Sequence, residues 1–235
     1  MIARLARLAL FALLAAVATL VQLDQQTTRS PELAFLVPRY FSANAARARA
    51  QFALRTGGGG LADARHALIM RPMPAESLTL FSLTAMGAND AETALAALEA
   101  ASTRGWREPI SQLASGEAAM QQGEYAIAAQ RVVALLSTGD LAQPALDLLA
   151  RLLATPAGRE AFAYRLAQPG HWQGNSLPAM VAAVEPADLA DTLAQAQRMG
   201  ADLPCDRLAQ LARAYRQRHE DGLLASFWPG SCPQG

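Results

Sequence analysis

From Leu8 to Leu23 the chain reads LALFALLAAVATLVQL, and Gln22 is the only strongly polar residue in the run. Such a stretch must be enclosed by protein or by lipid, because aliphatic side chains left in water cost free energy. As a helix it spans about 24 Å at 1.5 Å per residue. A bilayer's hydrocarbon core is nearer 30 Å, so residues before Leu8 must contribute, with Arg4 and Arg7 reaching back to the headgroups. The arginines precede the run and Asp24 follows it, which under the positive-inside rule predicts a cytoplasmic N-terminus and an exported remainder. Residues 1–24 are therefore read as a signal-anchor helix, making the protein single-pass in a bacterial inner membrane with its C-terminal domain in the periplasm. A cleaved signal peptide competes with this, since Ala16-Val17-Ala18 has the A-x-A form of a cleavage site. The apolar run nevertheless continues through Thr19-Leu20-Val21. Both readings export the domain, the second as a soluble periplasmic protein; a buried helix of a cytosolic fold is the third.

Cys205 and Cys232 are the chain's two cysteines. An oxidising periplasm permits a disulfide between them, and closing that loop stabilises by roughly 3–4 kcal/mol on the chain-entropy model. The alternative is two unrelated thiols. Neither sits in a C-x-x-C pair, so redox catalysis and zinc binding find little support.

The rest of the chain predicts an all-α fold. Hydrophobic residues make up 52% of the sequence but aromatic ones only 6%, so small aliphatics dominate. Alanine and leucine lose little freedom in a helix, and runs of Val, Ile and Thr that would build strands are absent. Twenty basic and twenty acidic residues cancel. That balance, with no block of like charge, argues against a nucleic-acid partner, which needs a basic face to displace counterions. Every basic side chain is arginine; the chain contains no lysine.

Internal spacing then organises the helices. LAFLVP, ALIMRP and ASTRGW end at Pro38, Pro72 and Trp106, each 34 positions after the last. The same shift superposes Ala67 on Ala101, Ala94 on Ala128, Leu98 on Val132, and Asn89-Asp90 on Gly123-Glu124. Helices are expected over Asn44–Leu54 and Leu61–Met70, joined by Thr56 and four glycines, then over Pro74–Met86 and Ala91–Ser102. Pro109–Gln121 and Tyr125–Leu136 form the third pair. Ser30-Pro31 opens a short helix ending near Val37, by the serine-cap and N1-proline rule. Beyond Asp140 the period fades, and helices are expected over Gln143–Ala154, Pro156–Ala167, Leu177–Val184, Pro186–Met199 and Pro204–Glu220. The last carries Leu208, Leu211, Ala212 and Tyr215 on one face.

A 34-residue period with small residues at these points resembles the tetratricopeptide repeat, most clearly in Gly123-Glu124-Tyr125-x-x-Ala128-Ala129. The family's Trp-x-x-Leu-Gly-x-x-Tyr opening is largely missing; Leu78, Phe81, Ser82 and Ala85 stand there, although Gly116 holds the glycine position in the third unit. The resemblance implies a solenoid of helical hairpins over residues 25–142, closed by a capping region over 143–235. It also implies a concave groove for partners, lined by Glu76, Thr79, Leu83 and Met86 in the second unit and by Ile110, Leu113, Glu117 and Met120 in the third. The alternative is that these residues pack beneath the C-terminal helices. By the same resemblance the chain is expected to be a non-enzymatic scaffold or adaptor that binds protein partners of the envelope, in a setting such as polysaccharide assembly or secretion. A soluble periplasmic peptide- or glycan-binding protein is the alternative function.

Chemistry-bearing motifs are thin. His66, His171 and His219 are isolated, and no H-E-x-x-H, G-x-S-x-G, P-loop or G-x-G-x-x-G pattern occurs. Gly57–Gly60 follows no strand and reads as an inter-helix turn. Glu117 and Glu124 are the nearest thing to a glycosidase-like carboxylate pair, but they straddle a helix end. No catalytic residue, metal or cofactor is expected. The loop Gln168–Ser176 brings His171 beside Trp172, either a binding anchor or a tryptophan that plugs a gap between helices.

Overall fold

The computed structural model describes residues 2–170, 172–228 and 232, with the backbone alone at 2 and 3. Among the described residues it holds thirteen α-helices, two 3-10 turns and no strand. The packing divides into two units, Met1–Gly105 and Trp106–Gly235. The division falls after Gly105, inside the span 25–142 over which repeats are expected. The third expected hairpin shares its core with the helices that follow it: Ala128 and Val132 lie in one cluster with Leu149 and Phe162.

The first unit begins with Ile2–Gln26 (α1), a single helix. Its stretch from Arg4 to Gln26 is long and apolar enough to cross a membrane, a property it would share with a signal sequence. Leu5, Leu8, Phe11, Leu13, Leu14, Val17 and Val21 all stand exposed. Its last turn is different. Asp24 is only 8% exposed; its carboxylate accepts hydrogen bonds from the Asn44 side-chain amide at 3.0 Å, the Ala45 backbone N–H at 3.1 Å and the Ser42 hydroxyl. Those donors open Ala43–Arg55 (α2), where Ser42 is the N-cap. A carboxylate there satisfies orphan N–H groups and lies at the positive end of the helix dipole.

Between α1 and α2, Pro31–Phe35 forms a 3-10 turn rather than the expected helix to Val37. Its Ala34 joins Val37, Ala45 and Ala48 in a small core, against which Leu23 and Phe41 pack. The segment is held from outside by Arg49, whose guanidinium donates to the carbonyls of Ala34 (2.7 Å), Val37 (3.3 Å) and Arg39 (2.7 Å) and to the Asp63 carboxylate (3.2 Å). Replacing Arg49 by methionine keeps the aliphatic stem but removes the donor to three carbonyls and leaves the largely buried Asp63 carboxylate with Arg39 alone, at 3.5 Å. We expect a loss of about 3 kcal/mol, read by chemical unfolding in detergent.

The unit continues with Leu61–Met70 (α3), Ala75–Gly87 (α4) and Ala91–Arg104 (α5), each packed on its neighbour. The glycine run before α3 is a built turn: Gly57 and Gly60 have φ of 73° and 70°, and a Cβ on Gly60 would press on the Ala50 carbonyl at 3.1 Å. Buried Ala85, Ala94 and Ala101 let α4 and α5 approach closely, and the Ser82 hydroxyl donates to the Ala94 carbonyl at 2.7 Å.

In the second unit, Pro109–Gln122 (α6) and Tyr125–Thr138 (α7) form a hairpin whose helices begin 34 residues after α4 and α5. The turns also correspond. Asn89 and Gly123 both take positive φ, 60° and 73°. The next residue's N–H closes onto Ala85 in one hairpin (3.0 Å) and Ala119 in the other (2.8 Å), the bond of a Schellman C-cap. Then follow Ala142–Leu153 (α8), Pro156–Leu166 (α9), Trp172–Ala183 (α10), Pro186–Arg198 (α11), Cys205–Gln217 (α12) and, after a 3-10 turn at Asp221–Leu223, the short Leu224–Phe227 (α13). Proline at N1 starts α6, α9 and α11.

Two expectations fail here. Helix α10 starts at Trp172, not Leu177, and Pro178 lies inside it. Helix α12 stops at Gln217, short of the expected Glu220, and His219 turns to positive φ.

The second unit's core is larger and more leucine-rich than the first's, with Leu148, Leu149, Leu152, Leu153, Phe162 and Tyr215 fully buried. Tyr215 donates its hydroxyl to the Pro186 carbonyl at 2.7 Å, and burial pushes its phenol well above the ordinary tyrosine value. Arg159 links α9 to α11 through Asp188 (2.9 Å) and Asp191 (2.8 Å). Cys205 and Cys232 are joined in a disulfide, with Cα atoms 5.4 Å apart, and Cys232 is buried against the core.

Candidate functional site

Residues expected to line a groove have very different surroundings. In the first unit, Glu76 and Met86 of α4 are exposed, Met86 at 56%, and Leu83 is half-buried. Thr79 is buried, with its hydroxyl donating to the Ala75 carbonyl one turn earlier at 3.2 Å. It offers a partner no surface.

In the second unit Ile110 is exposed, but Leu113 and Met120 pack against the core. Glu117 forms a two-pronged ion pair with Arg151 of α8, one contact at 2.9 Å, which raises the arginine's pKa. Between them, a Cβ on Gly116 would meet the Leu148 Cδ2 at 2.7 Å, so α6 and α8 are in close contact at that point. On this unit α8 packs against the expected groove face at Gly116 and Glu117, while Ile110 stays exposed. A 34-residue period identifies which residues correspond between hairpins; it carries no information about which later helix packs over them.

His171 lies outside the described residues. Trp172 is half-buried at the start of α10, its ring meeting the edge of Phe162 at a centroid distance of 5.9 Å. Trp172 is also packed against the second unit's core. His66 is half-buried, with its ring against Tyr40 at 5.4 Å.

Two shallow hollows occur among the described residues. One of about 560 Å³ in the first unit is lined by Phe35, Val37, Arg39, Arg49 and Asp63. The other, about 470 Å³ in the second unit, lies between Tyr125, Glu160, Tyr164, Arg165 and Met199. Among the described residues no three of His, Cys, Asp and Glu converge where a metal ion could be held.

The feature that sequence reasoning missed is the joint between α1 and the first unit. In the sequence Asp24 marks only the polar end of an apolar run. Ser42 and Asn44, a capping residue and a side-chain amide at a helix start, were the available signal that a second chain segment ends there. Arg49 gave no signal, because three of its four partners are backbone carbonyls. Comparisons of the chain with known protein families, with curated proteins and with solved structures find no match.

Proposed function

We propose that the protein is a membrane-tethered helical adaptor, anchored by α1 in a bacterial inner membrane and presenting its helical hairpins to protein partners in the periplasm. The observation that carries this reading is the form of α1. Its apolar side chains are exposed from Leu5 to Val21, yet Leu23 and Asp24 at its end are packed and hydrogen-bonded into the first unit. A helix with such a surface needs lipid around it, and a fixed joint gives the first unit a defined pose above the bilayer. The likeness to tetratricopeptide repeats supports the adaptor role, through hairpins that recur at 34 residues with matching C-caps. Met86 and Ile110 are the exposed apolar members of the expected groove; methionine's flexible thioether suits a surface that accepts varied side chains. Polysaccharide assembly and secretion are the settings this proposal favours.

Photo-crosslinking from Met86 and Ile110 in intact cells tests the adaptor role. Discrete adducts are expected at one or both positions, reduced at least fivefold by co-expressed wild-type protein but not by a co-expressed Met86→Arg, Ile110→Arg double variant. Met120 is unsuitable for such a variant because it packs on the core. No adduct from either position, with normal amounts of protein in the membrane fraction, overturns the adaptor reading. Release of the domain by cleavage after Ala18 is the second reading, which the A-x-A sequence favours; the protein would then be a soluble periplasmic binder of peptides or glycans.

A further inference from the structure

The segment joining α1 to α2 turns three large side chains outward: Phe35 is 58% exposed, Leu36 64% and Tyr40 71%. Singly exposed apolar residues are ordinary. Three within six positions, beside the end of an exposed apolar helix, are not. Phe52 of α2 extends the patch, its ring edge-on to Phe35 at a centroid distance of 5.4 Å.

Their depth follows from the joint. Leu23 is the last apolar residue of the α1 run, so a bilayer crossed by α1 passes from hydrocarbon to headgroups near Leu23 and Asp24. Leu23 packs directly on the cluster of Ala34, Val37, Ala45 and Ala48. Residues 34–45 are therefore fixed at the level where the hydrocarbon ends. Arg49 braces the same segment from the other side through the carbonyls of Ala34, Val37 and Arg39, so the exposed rings ride on a rigid support.

We propose that Phe35, Leu36 and Tyr40 form a foot that rests in the outer interface of the membrane α1 crosses. This rests on the reading of α1 as a retained anchor. The occupant is the lipid surface itself, because the patch is continuous with the lipid-facing helix. Aromatic side chains are favoured at that level, and tyrosine suits it by pairing an apolar ring with a hydroxyl that reaches water. With the foot seated, the helix and the segment make two contacts with one bilayer, which limits tilting of the first unit.

The test uses the full-length protein in phosphatidylcholine nanodiscs. The described residues hold no free cysteine, so single cysteines at Leu36, Tyr40 and Leu13 can each carry a bimane fluorophore. The lipid carries a doxyl spin label high on the acyl chain for the first two positions and midway along it for Leu13. Spin-labelled lipid is expected to lower fluorescence by half or more at all three. Quenching at Leu13 with none at Leu36 or Tyr40 overturns the foot while leaving the anchor standing. Absence of quenching at all three overturns both.

Discussion

Replacing Asp24 by alanine is expected to destabilise the first unit by about 3 kcal/mol and to free α1 from the start of α2. The carboxylate is buried and accepts from Ser42, Asn44 and Ala45. Alanine leaves the Asn44 amide without that acceptor and exposes the Ala45 N–H to weaker capping by Ser42, whose Oγ lies 3.4 Å away. Buried donors left in this way cost about 1–3 kcal/mol each, and the favourable charge at the α2 N-terminus is lost as well. In hydrogen exchange of the detergent-solubilised protein, amides over 42–48 should exchange about 100-fold faster, the equivalent of that energy at 1.4 kcal/mol per decade. Asp24→Asn keeps an acceptor and a similar shape, so it should lose about 1 kcal/mol. Equal protection in wild type and Asp24→Ala would show that the joint holds nothing.

Opening the Cys205–Cys232 disulfide should have the largest effect in the second unit. The bond spans 27 positions, and releasing a loop of that length costs about 3–4 kcal/mol on the chain-entropy model. It also unties Cys232 from the core formed with Leu208, Leu211, Tyr215 and Phe227. The Cys205→Ser, Cys232→Ser double variant should melt on the order of 10 °C below the oxidised wild type. Reduction with dithiothreitol should reproduce the shift in the wild type and produce none in the variant. A wild type whose melting is indifferent to reductant contradicts the role given to the bridge.

What could be read from the sequence was local. Leu61, Ala91, Pro109, Tyr125, Pro156 and Pro186 begin helices where proline chemistry and the turn before them predict a start, because capping depends on a few adjacent residues. The 34-residue offset between α4–α5 and α6–α7 was legible for the same reason: it repeats one left-handed C-cap. The start of α10 is hidden in the sequence because proline usually ends or begins a helix. Pro178 is tolerated within α10 on its exposed side while Leu177, Met180 and Val181 bury the opposite face.

The long-range pairings were illegible. Asp24 with Asn44, Arg49 with Asp63, Glu117 with Arg151 and Arg159 with Asp188 join residues 14 to 34 positions apart, and charge in one sequence marks none of these partners. The same limit explains the groove. Leu113 and Met120 pack against a core that later helices complete, and those helices lie outside the repeat that identified the two residues.

The account depends most on α1 remaining attached to the domain it joins. Intact mass and N-terminal sequencing of the protein recovered from native cells measure that directly. Retention predicts a chain that still carries residues 1–18, is found in the membrane fraction and resists alkaline carbonate extraction. A soluble chain beginning at Thr19 would contradict it, removing the anchor and the membrane foot together.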